Sequence, residues 1–538
     1  MRGVLSLVAA VLLAGTACSG PAPDSSSERP TIRWGVGERV TTMDPANATH
    51  TVERMLSMML FDGLVRYKTS DIRQPFEPGI ATEVPEPQME NGQQVWTIPL
   101  RHGVMCPAGR KTEAYELTAE DVVFSLDRAR DPERSNVAAQ YGAYDSVTAV
   151  DPYTVRIALA YPQSPRSFLS TITNFQGGLV VCRKAVEAEG DDFGMHPVGT
   201  GPFRFTDFVP EQKIEVAAND SFVDGTPLAA GWEIRFMPDA TARRAALLSG
   251  DLDVVDTLSA PNKWLESIDQ QDGFKSVSAD LFGTNYVLFN TKEGPTADIR
   301  VRQALSYAIN RDDYLAGAEP GLVAPTVSVW PDALPGGVAD AHTVQAGLVV
   351  DFDLAKARAL LAEAGHPDGF ALTATAPGDA GDYQILQAQL KEIGVDLTIR
   401  TVDFPTWQQA MLTGHEPIMV TVTAFRPTPQ VAYETFFYGP SAVLGGAQPA
   451  QNFSGYAGAD ALIEAARTES DPGRQADLWQ QVNDQILRDV VMKPLMVSRT
   501  AYASVCGFTW GGVEPPVAIP GNWQASHRAT VDRAAEGC

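Results

Sequence analysis

Apolar and polar positions alternate from Thr31 to Val36 (TIRWGV), the two-residue period of a strand, and the run stops at Thr42-Met43-Asp44-Pro45, where proline and polar neighbours interrupt it. Val52 to Leu60 is an apolar helical stretch ending near Asp62-Gly63. Strands are expected at Val95–Leu100 and Thr154–Ala160, around a helix near Ala119–Ala129 that Thr118 caps with Asp121 as the acid three residues on. Between Phe289 and Val402 the pattern becomes α/β. Asp298 opens a helix whose Val301, Leu305 and Ala308 share a face, and from Asp353 the positions Leu354, Ala357, Leu361 and Ala364 repeat that spacing until Gly365 and Pro367 stop it. Phe370, Leu372 and Ala374 alternate, a helix follows to about Ile393 with Gly394 just past it, and Val395, Leu397 and Ile399 alternate again. This order implies a parallel sheet joined by a right-handed crossover. The tail from Tyr502 to Trp523 reads as strand-like pieces returning to an earlier lobe. No internal repeat is visible.

Ahead of this pattern stand Arg2, an apolar run from Val4 to Ala14, and Gly15-Thr16-Ala17-Cys18, which read as a secretory signal over residues 1–17. The run is short for a membrane span. A cysteine after three small residues can take a diacylglyceryl group once the signal is cut, so Cys18 is the expected lipid attachment point and residues 18–30 a flexible tether. Gly15 stands where such signals usually have Leu, and a conventional cleavage near Ala17 or Ala22 remains open.

The remaining length suits several structural domains. With 41 Lys+Arg against 66 Asp+Glu, a net charge of −25 and no basic stripe, the body of the chain is not built for nucleic acid or anionic membranes. With Cys18 lipidated, Cys106, Cys182, Cys506 and Cys538 allow three pairings in an oxidising compartment. We expect Cys106–Cys182 and Cys506–Cys538, since each would staple one region. No CxxC, GxSxG elbow or Cys/His signature appears, so redox and hydrolytic chemistry are not expected. The seven histidines (His50, His102, His196, His342, His366, His415, His527) are dispersed without HxH or HExxH spacing, and neither a metal nor a cofactor is expected.

A series of segments resembles the dipeptide, oligopeptide and nickel-binding family of extracellular solute-binding proteins, family 5. In order they are Met43-Asp44-Pro45, Leu60–Val65 (LFDGLV), Trp96–Val104 (WTIPLRHGV), Leu117–Ser125 (LTAEDVVFS), His196–Phe203 (HPVGTGPF), Leu248–Val254 (LSGDLDV), Asn285–Asn290 (NYVLFN), Arg300–Leu305 (RVRQAL), Leu360–His366 (LLAEAGH) and Asn452–Tyr456 (NFSGY). HPVGTGPF is the most specific. Its glycines are expected to supply backbone angles that other residues resist, in a structural turn; a phosphate cradle would need a helix start and a lysine.

The resemblance implies an α/β fold of the periplasmic-binding-protein type: two lobes of type II that close about a hinge, with an extra domain (cluster C). Mapped here, lobe I comprises residues 31–60, 195–284 and 500–538, the extra domain 61–194, and lobe II 285–499. It implies a substrate-binding lipoprotein of an ABC importer, a monomer on the extracytoplasmic face of a bacterial cell membrane. Its partners would be permease subunits with cytoplasmic ATPases, and its cargo a peptide or peptide-like solute paired through its backbone as an added strand. The implied ligand-contacting positions are Thr49, His50 and Thr51, with Trp407, Thr423, Ala424, Phe425 and Arg426 in lobe II and Tyr141, more weakly Tyr144, in the extra domain. Many members of the family carry, in the stretch that corresponds to Thr423–Pro429, an aspartate for the peptide ammonium; this chain lacks that acid and has Arg426 nearby, which suits a carboxylate or phosphate. A specialised, non-peptide and possibly anionic solute, or a role in envelope assembly, is therefore the alternative.

Overall fold

The structure, a computed structural model, describes residues 29–538 apart from 49, 69–74, 136, 175–176, 258–262, 319–320, 335, 379, 424–427, 446–450, 470, 512–525 and 536. Residues 1–17, expected to be a signal, and Cys18 lie outside the described residues.

The strand expected at Thr31–Val36 is there, with Ile32, Trp34 and Val36 fully buried. It runs parallel to Gly231–Phe236 on one side and to Val254–Asp256 on the other. These belong to a nine-stranded sheet ordered Phe203–Val209, Lys213–Ala218, Gly231–Phe236, Thr31–Val36, Val254–Asp256, Met492–Val505, Phe274–Phe289 and Ile418–Val422, with Val323–Pro325 added beside Met492–Val505. Two of its strands are unusually long, 16 residues at Phe274–Phe289 and 14 at Met492–Val505, and they pair antiparallel along their length. Their register shifts between Asp280 and Thr284 and again between Asn285 and Tyr286. On one side of the shifts the neighbour is Val254–Asp256; on the other it is Ile418–Val422 and Val323–Pro325. The long pair thus carries the sheet out of one packed body and into a second.

The first body holds the largest hydrophobic cluster, in which Trp34 meets Trp232 edge to face at 6.4 Å and Trp510 stacks on Trp232 at 6.2 Å. Tyr502 and Trp510 from the tail lie in this cluster, as the return of the chain required. The same cluster continues through Phe61, Trp96, Tyr141 and Phe168 into a four-stranded sheet ordered Pro87–Glu90, Gln93–Pro99, Thr154–Leu159 and Tyr144–Asp151. The helix Ala119–Arg130 packs on this sheet and starts as the sequence indicates, with Asp121 Oδ2 accepting from the Thr118 amide at 2.9 Å.

The second body is built on two further clusters. Phe370–Pro377 and Val395–Val402 pair in parallel through the crossover helix Gly381–Lys391, as a two-stranded sheet of their own. Both glycines read as helix stops take left-handed backbone, φ +92° at Gly365 and +79° at Gly394.

HPVGTGPF forms the expected turn, but for a different reason. Neither Gly199 nor Gly201 has positive φ. A Cβ on Gly201 would lie 2.5–2.7 Å from backbone atoms of Met59, Leu60 and Phe61, and the Gly201 amide donates to the Leu60 carbonyl at 3.0 Å. Close approach of two backbones, not a special dihedral angle, demands glycine. Both expected disulfides are present, with Cα separations of 5.9 Å for Cys106–Cys182 and 5.0 Å for Cys506–Cys538. Among the described residues no helix is long and apolar enough to cross a membrane.

Candidate functional site

His50 and Thr51 stand at the start of the helix Thr51–Leu60; Thr49 lies outside the described residues. The loop ahead of them is held by Glu53, whose side chain is wholly buried. Its carboxylate accepts from the Thr41 amide (2.7 Å) and hydroxyl (2.6 Å), the Thr42 amide (3.2 Å) and the His50 amide (2.9 Å). Burial alone would raise the Glu53 carboxyl, but the hydrogen bonds from His50 and Thr41 outweigh it and hold it down at about 2. The His50 ring, half-exposed, is in turn pushed up by that carboxylate.

The other expected positions sit on separate elements. Thr423 is buried where the sheet changes body, its Oγ1 accepting from the Thr284 amide and its own amide donating to the Thr284 carbonyl, both at 3.1 Å. Trp407 is 8 % exposed and packs in the second body. Tyr141 is 1 % exposed, edge-on to Tyr144 at 5.5 Å, and donates its hydroxyl to the Thr171 carbonyl at 3.4 Å. Tyr141 therefore supports the core behind the site and presents no free surface to a ligand. Ala424, Phe425 and Arg426 lie outside the described residues.

What the fold does bring together is a polar pocket of about 160 Å³ between the body carrying the four-stranded sheet and the second body. Gln140, Tyr161, Gln163 and Thr171 wall it on one side, and Gln430, Glu434, Tyr438, Ser441, Gln451 and Arg467 on the other. Reciprocal bonds of 2.9 Å fix Gln163: its amide donates to Gln94 Oε1 and its carbonyl accepts from Gln94 Nε2. Across the gap, Thr428 caps the helix Pro429–Phe436, with Pro429 in its first turn. Gln430 and Glu434, one helical turn apart, then share a face, and Gln430 Nε2 donates to Glu434 Oε1 at 3.3 Å. Arg467 comes from the helix Asp460–Thr468. Its Nη1 stands 3.9 Å from Glu434 Oε1, and its guanidinium lies 4.6 Å from the Tyr161 ring centre and 5.6 Å from that of Tyr438.

Protein surrounds Glu434 on nearly every side except the pocket, where 22 % of its side chain stays accessible. That burial pushes its carboxyl up to about 7, with Arg467 and Gln430 opposing the shift. Gln163 Oε1 and Gln430 Oε1, on residues 8 % and 2 % exposed, accept from no donor among the described residues. Each such oxygen costs about 1–3 kcal/mol until something donates to it. A larger hollow of about 580 Å³, lined by Pro107–Arg110, Met195–Gly199 and Arg204–Phe208, has no comparable set of unsatisfied groups on its walls. Among the described residues no group of three His, Cys, Asp or Glu side chains is placed to hold a metal.

None of the pocket's acceptors stands among the positions singled out from sequence. The available signal was Thr428-Pro429, an N-cap followed by a first-turn proline, which fixes the helix and hence the shared face of Gln430 and Glu434.

Residues 75–443 match the profile described as bacterial extracellular solute-binding proteins, family 5 Middle. The glutathione-binding protein GsiB of Salmonella typhimurium is 26 % identical over 501 residues, spanning 87 % of this chain and 89 % of its own. The structure of the binding protein MoaA from A. tumefaciens R10, in complex with mannopinic acid, is 32 % identical with a TM-score of 0.80, covering 94 % of this chain and 99 % of that one. The periplasmic binding protein DppA from Helicobacter pylori, in complex with the peptide STSA, shares the fold at 22 % identity and TM-score 0.79, covering 93 % and 98 %. With a profile spanning most of the chain and a two-lobed α/β fold whose lobes share one pair of long strands, this chain belongs to the family 5 extracellular solute-binding proteins of bacteria.

Proposed function

We propose that this chain is the extracytoplasmic receptor of an ABC importer, capturing a peptide or peptide-like solute and presenting it to permease subunits driven by cytoplasmic ATPases. It binds its solute without transforming it, acts as a monomer, and is held at the membrane by a lipid on Cys18. Residues 31–60, 195–284 and 500–538 form lobe I, 61–194 the extra domain and 285–499 lobe II. The observation that carries the reading is the polar pocket walled by two bodies that are joined through one strand pair with register shifts at 280–286. Closure about such a hinge would exclude water and strengthen every polar contact made inside. His50, Thr51 and Trp407, with Thr49, Thr423 and Ala424–Arg426, are proposed to line the remainder of the cleft.

A second reading has its own support. MoaA, 32 % identical to this chain, was solved in complex with mannopinic acid. Arg426 would then be the residue to receive a specialised anionic solute. Native mass spectrometry of the purified chain, followed by denaturing mass analysis of what it carried, separates the two. A ladder of peptide masses supports peptide capture, and a single non-peptide mass supports the specialised solute. Turnover of peptide or ester substrates would sink the binding-only reading, and unchanged uptake of labelled solute on deletion would sink the importer. Release of the Cys18→Ala protein into the soluble fraction tests the anchor.

A further inference from the structure

The two disulfides sit in opposite surroundings. Cys106 and Cys182 are both fully buried, whereas Cys506 is half-buried and Cys538, the last residue, is exposed. Cys506 belongs to a fixed base: it follows directly on the strand Met492–Val505, and its amide donates to the Gly273 carbonyl at 2.9 Å. Against that base lies a tail, residues 532–538, in which every described residue is exposed. A Cβ on Gly507 would collide with the Asp532 carbonyl oxygen, and the Asp532 amide donates to the Gly507 carbonyl at 3.0 Å. The tail is thus seated on the turn that follows Cys506.

Arg533 is the part of the tail that reaches into the body. Its Nε and Nη2 donate to the two Asp253 carboxylate oxygens at 2.8 and 2.7 Å, and Nη2 donates also to the Thr31 carbonyl at 2.7 Å. Asp253 is wholly buried and accepts in addition from the Arg33 amide at 2.7 Å and from the Arg33 guanidinium at 2.8 and 3.2 Å. Arg533 therefore braces the strand Thr31–Val36 at its entry, directly at Thr31 and through one carboxylate at Arg33. Its own side chain is 44 % exposed, so water competes for each of these bonds. The covalent closure between residues 32 apart is what keeps it on target. We propose that Cys506–Cys538 is a redox-labile clasp: a dithiol reductant opens it, releases Arg533 and loosens the entry of the first strand, while Cys106–Cys182 stays closed. A thiolate of the dithiol attacks Cys538 Sγ, and Cys506 leaves as its thiolate. The second thiol then attacks the mixed disulfide, frees Cys538 and closes the reductant into its own disulfide. Two electrons and two protons pass from the dithiol to the two cysteines.

The test treats the purified chain with dithiothreitol under native conditions, alkylates and maps the free thiols over time, and follows hydrogen exchange across Thr31–Val36. Cys506 and Cys538 should be alkylated roughly tenfold or more sooner than Cys106 and Cys182, because access governs the attack. Opening the clasp should speed exchange of the Arg33 amide roughly tenfold and leave the four-stranded sheet unchanged. Cys538→Ser should show the fast exchange without reductant, and Arg533→Gln should show it in both redox states. Equal reduction of the two bonds, an Arg33 amide indifferent to reductant, or a redox response that survives Arg533→Gln overturns the clasp. So does faster exchange spread over both bodies, which would be unfolding of the whole chain.

Discussion

The extra domain has two neighbours, and it meets them in opposite ways. Against the first body it is welded. One hydrophobic cluster runs through both, and Arg128 Nη1 lies 2.7 Å from Asp44 Oδ1 with both residues under 9 % exposed. Arg66 bonds Asp62 at 2.7 and 2.5 Å and also reaches Asp224, which Arg101 approaches at 3.3 Å. Each of these charges has an ionic partner. Against the second body the seam is a pocket with two oxygens unpartnered among the described residues and a guanidinium over the Tyr161 ring, beside Tyr67, which is buried in the apolar cluster there, and Phe76, which packs on it. Satisfied buried ion pairs resist separation because parting them strands a charge, whereas a cation over a ring at a half-wet surface can part and reform. The extra domain is thus held to the first body by buried ion pairs that the seam with the second body lacks among the described residues.

That contrast breaks if mutations in the two seams have similar consequences. The largest expected effect is from Arg128→Met, which leaves Asp44 buried without its partner and should cost about 3–5 kcal/mol of folding stability in guanidinium unfolding. Glu53→Gln comes next. The Glu53 carboxyl sits at about 2 in the folded chain against an ordinary value of 4.5. Its contribution, about 3 kcal/mol, is present above pH 4.5 and lost as pH falls toward 2. The variant should be flatter over that acid window than wild type. Glu434 has the opposite sign. Its carboxyl stays protonated to about 7 when folded, so its contribution is full below pH 4.5 and disappears as pH rises through 7. Allowing for its open side, the loss is about 2 kcal/mol, and Glu434→Gln should abolish the slope. The smallest effect on stability, about 1 kcal/mol or less, belongs to Arg467→Gln, which should instead raise the radius of gyration of the unliganded chain in small-angle scattering. A folding penalty as large as that of Arg128→Met would remove the distinction between the seams.

Sequence patterning carried the local elements. The alternation at Thr31–Val36, the Thr118/Asp121 cap and the stops at Gly365 and Gly394 all rest on chemistry within a few residues, and each appears where that chemistry puts it. The long strand Met492–Val505 was hidden by Pro494, which argues against a central strand. The sheet tolerates it because Pro494 faces Tyr286 at a register shift, where the ladder is already interrupted. The acceptor pocket was illegible for another reason. Gln163, Gln430 and Glu434 are unremarkable polar residues in distant stretches, and only the packing of two bodies sets them on one pocket and leaves Gln163 Oε1 and Gln430 Oε1 buried with no partner among the described residues.

The first strand has a mechanical consequence. Thr31–Val36 lies inside the sheet with parallel neighbours on both flanks, and Arg533 donates to the Thr31 carbonyl at 2.7 Å just where the chain enters. A pull on the segment before Arg29, along the strand axis, loads both ladders of hydrogen bonds at once in shear; they are not peeled one by one as at a sheet edge. Were the chain anchored ahead of Arg29, as proposed, it would yield elsewhere before this strand slid free.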